Sequence, residues 1–237
     1  MAIHVVGDAK ADFDHWKEAR KGYLTSSQMF TWRGVGIPDW WEDTRQTIVD
    51  QKFHGADAEF GLEAYVSMCH GTFDEENIMR KFGKAVGSKV EPCNKLFVND
   101  RWPHLAASID GYVYEPLADH DLTLVQDGLH LIEIRDDMGT IMSKGEAILC
   151  EIKKSTSTKW QTTVPEYYIP QLQTQMHICE IDASIIVAET VKRGVTQKWR
   201  QFWDLRPYLV LRNPAWVSKL DEANKEFKEV KDLYENK

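Results

Sequence analysis

No stretch of this sequence approaches the roughly 20 consecutive apolar residues of a membrane-spanning helix, so no membrane partner is expected. The N-terminal MAIHVVGDAKADFDHW lacks the basic start and apolar stretch of a secretory signal, and the expected location is cytoplasmic. Cysteine is scarce. Cys69, Cys93, Cys150 and Cys179 form no CxxC pair, so a structural zinc site is not expected and the thiols read as reduced and buried. There is no internal repeat, low-complexity tract or obvious linker. An excess of positive charge is also missing. The formal net charge of -8 argues against non-specific duplex binding over the whole surface. It leaves room for a local basic site, and a hydrolase that gathers carboxylates around divalent metals has the same sign.

What is present is a chain of 237 residues, 43% hydrophobic, which suffices for one substantial core and a single domain over 1–237. Apolar spacing predicts helices over 12–21, 39–52 and 57–69. A break at His70-Gly71 and a further helix over 72–84 follow, with Glu75, Ile78, Met79 and Phe82 on one face and Glu76 elsewhere. From Lys95 the pattern turns to short alternating strands: LFVN, HLAASID, GYVY, LHLIEI and AILCEIK. Pro165 opens a helix through Cys179, striped Leu172, Met176 and Cys179 on one side and Tyr168, Gln171 and Gln175 on the other. Strands over 183–191 and about 195–204, joined by Lys192-Arg193-Gly194, precede an amphipathic helix over about 214–235. The order implies an α/β fold with a mixed central β-sheet flanked by helices.

One constellation carries chemistry. On a period-two strand, Ala147, Leu149, Glu151 and Lys153 face one side and Ile148, Cys150 and Ile152 the other. Glu151, Lys153 and the carbonyl of Ile152 therefore converge. Carboxylate and carbonyl oxygens suit Mg²⁺, and a lysine can position or deprotonate an attacking water. A lone E-x-K also arises from alternating charges on an exposed strand. Asp110 ends an apolar strand before Gly111; it reads either as a metal ligand or as an Asp-Gly hairpin turn. Glu75, on an apolar helix face, reads either as a third acid of the centre or as a salt-bridge partner of a nearby lysine. Together these residues make a plausible two-metal site.

Five segments in order then resemble the lambda-exonuclease-type (YqaJ-like) viral recombinase nucleases of the PD-(D/E)xK superfamily, from about Trp16 to Glu189. They are WKEARKGYLTSS, HGTFDEENIMRKFG, HLAASIDGYV, ILCEIKKS and VPEYYIPQLQTQMHIC. The resemblance implies a restriction-endonuclease-like core and a Mg²⁺-dependent exonuclease, with two ions and Mn²⁺ able to substitute. It degrades double-stranded DNA ends 5′ to 3′ and leaves 3′ tails for a single-strand annealing partner. It implies that Asp110, Glu151 and the Ile152 carbonyl bind metal, that Glu75 binds or orients a second ion or its water, that Lys153 positions the water, and that Gln171 lines the site. Arg20 and Ser27 would grip a 5′-phosphate; read without the resemblance, Arg20 lies on a solvated helix face and Ser27 is a helix cap.

The departures are an isoleucine, Ile109, where the superfamily has proline, a long stretch between Asp110 and Glu151 read as an inserted hairpin over about 116–146, and Lys159 where relatives can carry an arginine. Lys159 could still meet a phosphate, without bidentate geometry. Members assemble as ring-shaped trimers, whose channel Lys144, Lys154, Lys159, Lys192, Arg193, Lys198 and Arg200 could line. Competing readings are a RecB-like nuclease with an iron–sulfur cluster, which the cysteine positions disfavour, a structure-specific endonuclease, and a DNA-end-binding recombination protein with a decayed active site.

Overall fold

The computed structural model describes residues 2–39, 41–54, 62–114, 123–126, 130–131, 147–155, 160, 163–191 and 203–235. The chain opens on strand β1 (Ile3–Asp8) and helix α1 (Phe13–Lys21), whose N-terminus is capped by Asp12 accepting from the His15 N–H at 2.9 Å. Strand β2 (Leu24–Thr25), a single 3₁₀ turn and helix α2 (Met29–Arg33) follow. Helix α3 (Arg45–Phe53) starts later than the apolar spacing suggests. Thr44 caps it, so residues 41–44 stay outside the helix. Helix α4 (Leu62–Val86) is continuous through His70-Gly71, where a break is expected from the sequence. An interior glycine costs a helix only about 1 kcal/mol, less than the later turns of α4 gain from packing.

Strands β3 (Val90–Pro92), β4 (Lys95–Asn99), β5 (Leu105–Ser108) and β6 (Gly111–Val113) come next. After them are β7 (Thr123–Gln126), β8 (His130–Leu131) and β9 (Ile148–Ser155). The chain closes with helix α5 (Ile169–Cys179), strands β10 (Ala183–Val191) and β11 (Trp203–Leu211), and helix α6 (Trp216–Glu235). A mixed seven-stranded sheet has the order β3-β6-β9-β10-β11-β7-β8, with β9 and β10 parallel. A four-stranded sheet, β1-β4-β5-β2, stands beside it and has no counterpart in the sequence reading. The last strand also lies later than the expected 195–204. Pro207 argues against a strand there. Among the described residues the strand's pairing with β7 starts at Tyr208, next to the proline. The Lys192-Arg193-Gly194 turn, and the 116–146 insert apart from the antiparallel β7–β8 pair, lie outside the described residues.

Alternation along β9 and β10 sorts two cores. Ile148, Cys150, Ile152, Ile185 and Val187 pack against Ile78, Met79, Phe82 and Val86 of α4. Leu149, Ile186 and Ala188 face Leu172 and Met176 of α5 and Trp216, Leu220 and Phe227 of α6. Each large side chain sealed in this way contributes roughly 1.5–3 kcal/mol. The outcome is the mixed α/β layering expected from the order of elements, with the restriction-endonuclease-like core that the resemblance implied. The catalytic candidates sit on β9 and at the junction of the two sheets. Among the described residues no helix is long and apolar enough to cross a membrane.

Candidate active site

Asp110 is not a hairpin turn. Strand β5 belongs to the smaller sheet and β6 to the larger, so Asp110-Gly111 is where the chain crosses between them. Strand β6 pairs with β9 only as far as Gly111↔Cys150. The next outward-facing N–H on that edge, Ile152, donates instead to Asp110 Oδ2 at 2.7 Å. In a strand, the N–H and C=O of one residue point to the same edge. The Ile152 carbonyl therefore faces Asp110 as well, while its side chain is sealed in the α4-facing core.

Across the strand, Glu151 is 2% exposed. Its Oε1 accepts from Lys153 Nζ and from Gln171 Nε2 at 2.6 Å, and its Oε2 from Gln175 Nε2 at 2.8 Å. Gln175 Nε2 also donates to the Ser108 carbonyl at 2.7 Å, tying α5 to the strand that leads into Asp110. The polar stripe of α5 thus meets the polar face of β9, as their periodicities require. Gln175 is a positioning residue whose double role its place in the stripe does not reveal. Glu75 is half-buried on α4 and forms no ion pair among the described residues. Glu76 is exposed.

Electrostatics join the four charged groups. Burial and then Glu151 push the Asp110 carboxyl well above its usual range, against the pull of Lys153. Glu75 is raised chiefly by burial, with Lys153 opposing and Glu151 adding. Burial disfavours the charged form of Lys153, but Glu151 and Asp110 more than offset this and carry its pKa upward. Lys153 is therefore an ammonium group that donates to Glu151 and holds what it touches. Crowded carboxylates with raised pKa values are relieved by a cation. Among the described residues no three His, Cys, Asp or Glu side chains form a metal site by themselves. The oxygens that could hold a divalent metal here are the carboxylates of Asp110 and Glu151 and the strand-edge carbonyl of Ile152, all hard donors of the kind that Mg²⁺ or Mn²⁺ takes. Buried Gln175 Oε1 and Ser108 Oγ are without partners in the same neighbourhood, which fits a site that takes up further ligands or water.

Residues 15–182 match the family described as the YqaJ-like viral recombinase domain. The chain belongs to that family. Its fold is that of solved exonucleases. An alkaline exonuclease, LHK-Exo, from Laribacter hongkongensis aligns with a TM-score of 0.59 at 18% identity, over 94% of this chain and 95% of that one. The same protein in complex with dAMP gives 0.59 at 17% identity, over 94% and 95%. A phage-related exonuclease from Haemophilus somnus 129PT gives 0.55 at 12% identity, over 89% and 94%. No curated protein matches in sequence.

In this YqaJ-like chain, Arg20 is not on a solvated face. It is half-buried with its guanidinium 4.5 Å from the Trp16 ring centroid, and burial lowers its pKa. Ser27 is exposed and is not the cap. Thr25 takes that place, with Gln28 Oε1 accepting from the Thr25 N–H at 3.2 Å and hydroxyl at 3.0 Å. Strand β2 runs parallel to β5, so the chain beyond Thr25 heads toward the same sheet end as Asp110. No described contact joins Arg20 or Ser27 to the Glu151 network. Lys159 lies outside the described residues, as do all the channel candidates except Lys154, which pairs with Asp74 on α4.

Sequence reasoning missed Lys52. Its Nζ donates to the Arg20 carbonyl at 2.6 Å, and burial followed by the Arg20 charge pushes its pKa down to about 7. Lys52 and Arg20 are thus two partly covered cations close enough for the charge of one to act on the other, an arrangement that could favour a bound anion. Nothing in the helical pattern around Lys52 marks it, because its meaning comes from a helix 32 positions away.

Proposed function

We propose that this protein is a divalent-metal-dependent DNA exonuclease that degrades one strand of linear duplex from its 5′ end and leaves a 3′ single-stranded tail for a recombination partner that anneals such tails. The carrying observation is the Glu151 carboxylate held by Lys153, Gln171 and Gln175 beside Asp110 on the Ile152 N–H. Family membership and the exonuclease fold support the same reading.

Asp110, Glu151 and the Ile152 carbonyl would hold the metal, and Glu75 would hold or orient a second ion or its water. Two Mg²⁺ ions, or Mn²⁺ in their place, would activate the water and neutralise charge on the departing oxygen. Lys153 then donates to the water oxygen and fixes its line of approach to phosphorus, while Gln171 keeps the Glu151 carboxylate from rotating away. Arg20, Lys52 and Ser27 receive the terminal 5′-phosphate, with Lys159 as a further candidate contact. A ring of three chains around the DNA would reconcile a net charge of -8 with a locally basic channel.

The direct test supplies linear duplex phosphorylated at one 5′ end only, with Mg²⁺, and follows which strand shortens. The phosphorylated strand should shorten from its 5′ end, and chelation with EDTA should stop it. Loss from 3′ ends, or cutting of covalently closed circles, would replace this reading with another nuclease activity.

Lys52 adds a pH dependence with a definite sign. Below about pH 7 it is charged, and a phosphate meets two cations. Above that pH, binding must recruit a proton, so affinity for the phosphate falls by up to about tenfold per pH unit. The preference for 5′-phosphate over 5′-hydroxyl ends, measured as a Kd ratio, should drop about tenfold or more between about pH 7 and about pH 8.5. Lys52→Arg should flatten that profile. A flat profile in the unmodified protein would remove Lys52 from phosphate recognition.

A further inference from the structure

Gln175 is fully buried on α5, and its one amide nitrogen serves acceptors on two different strands. Nε2 donates to the Ser108 carbonyl at 2.7 Å and to Glu151 Oε2 at 2.8 Å. Ser108 ends β5 two positions before Asp110, and Glu151 lies on β9. The same β9 supplies the Ile152 N–H that donates to Asp110 Oδ2 at 2.7 Å. These contacts close a circuit. It runs from Glu151 through Gln175 to Ser108, along the main chain to Asp110, and through the Ile152 N–H back to the neighbour of Glu151.

The amide can sit in only one orientation. Turned over, it would point Oε1 at a carbonyl and a carboxylate, and an acceptor would face two acceptors. With Nε2 in place, Oε1 is sealed with no partner among the described residues. A buried oxygen left in that state costs free energy, which the two N–H bonds outweigh. A hydroxyl has one hydrogen and a carboxylate none, whereas an amide NH₂ carries two on one atom and can serve both acceptors at once. Glu151 is then left with one open direction. A carboxylate offers about four lone-pair sites. Lys153 and Gln171 take those on Oε1, and Gln175 takes one on Oε2. The site that remains is on Oε2, the oxygen that Gln175 holds.

We infer that Gln175 sets the bite of the metal site: it aims Glu151 Oε2 as the metal-binding oxygen and fixes that oxygen's place relative to the Asp110 carboxylate. The inference rests on the metal-dependent reading of this centre and deepens it, by naming the residue that tunes affinity for the divalent cation. Gln175 touches no reacting atom. It is a positioning residue, acting through Glu151 and through the strand that leads into Asp110. Hydrogen-bond partners behind a metal ligand are typically worth about ten- to a hundredfold in metal affinity.

The test titrates the DNA-free protein with Mn²⁺ and follows the free ion by electron paramagnetic resonance. Gln175→Met keeps the length of the side chain without its donors, and should raise the Kd for Mn²⁺ by about ten- to a hundredfold. Gln175→Asn keeps the donors but falls one methylene short of spanning both acceptors, and should also weaken binding. Gln173→Met is the reference. Gln173 is equally buried on the same helix, donates to the Leu211 carbonyl at 2.8 Å and accepts from the Asn213 N–H at 2.8 Å, and no described contact joins it to Glu151. Its loss should lower stability and leave the Mn²⁺ Kd unchanged. Turnover by the Gln175 variants should recover as Mn²⁺ is raised, with KM for DNA unchanged. If Gln175→Met does not fold, Gln175→Asn decides. A folded Gln175 variant that binds Mn²⁺ as tightly as the unmodified protein overturns the inference, and so does equal weakening by Gln173→Met. Failure of the unmodified protein to bind Mn²⁺ at all would remove the metal-dependent reading as well, which separates the two failures.

Discussion

Replacing Lys153 with methionine will reduce nucleotide release from linear duplex under saturating Mg²⁺ by about a hundredfold to ten-thousandfold, the range over which a positioned proton-handling group contributes to catalysis. Methionine keeps the length and packing of the side chain and removes only the donor. Two effects must be kept apart. Lys153 is the cation beside a 2%-exposed carboxylate, and breaking a buried pair leaves the surviving charge uncompensated at about 3–5 kcal/mol. Gln171 and Gln175 still donate to Glu151, so the lower part of that range applies. The variant should therefore melt earlier, yet bind 5′-phosphorylated ends as before, since the proposed phosphate contacts Arg20 and Lys52 are untouched. Glu151→Gln combined with Lys153→Met should recover much of the stability and none of the activity. Full turnover by a folded Lys153→Met protein would end the assignment of this centre.

The legible part of the site was the part written in strict periodicities. Alternation along β9 put Glu151 and Lys153 together and sent Ile152 to the opposite core, and the spacing of Gln171 and Gln175 on α5 aimed both amides at the same carboxylate. Neither needs knowledge of a distant segment. Asp110 was half legible. Its place before Gly111 announced a change of direction. Whether the chain turned back or crossed into another sheet depended on pairing partners far along the sequence, and those gave a crossover. The four-stranded sheet was hidden for the same reason: the first residue of β1, Ile3, pairs with Asn99 far along the chain, and β2 is two residues long. The continuous α4 shows a local rule losing to tertiary packing, since Ile78, Met79 and Phe82 bury enough surface to carry the helix past Gly71. Lys52 was invisible because its significance is an effect of burial next to Arg20.

Gly111→Ala will lower the melting temperature by about 10 °C, a drop that corresponds to about 3 kcal/mol in a chain of this size. The cause is the close approach of two backbones. A Cβ at Gly111 would lie 2.6 Å from the Glu91 carbonyl oxygen, a main-chain atom that cannot rotate away, and 3.4 Å from Met79 Sδ. Pro92 is paired directly opposite Gly111, so β3 must retreat as a unit. That retreat stretches the hydrogen bond from the Cys93 N–H to the Asp110 carbonyl, which is 2.7 Å here. Asp110 is held on one side by this bond and on the other by its carboxylate on the Ile152 N–H. Moving its main chain while β9 stays fixed shifts the carboxylate relative to Glu151. A displacement of even about 1 Å in a reacting group can cost about a hundredfold in rate. Activity measured well below the lowered melting temperature should therefore fall by that order, with KM for DNA little changed, because the proposed phosphate contacts lie on α1 and α3. A Gly111→Ala protein with an unaltered melting temperature would mean that β3 can move freely. The crossing between the two sheets would then not be what fixes Asp110.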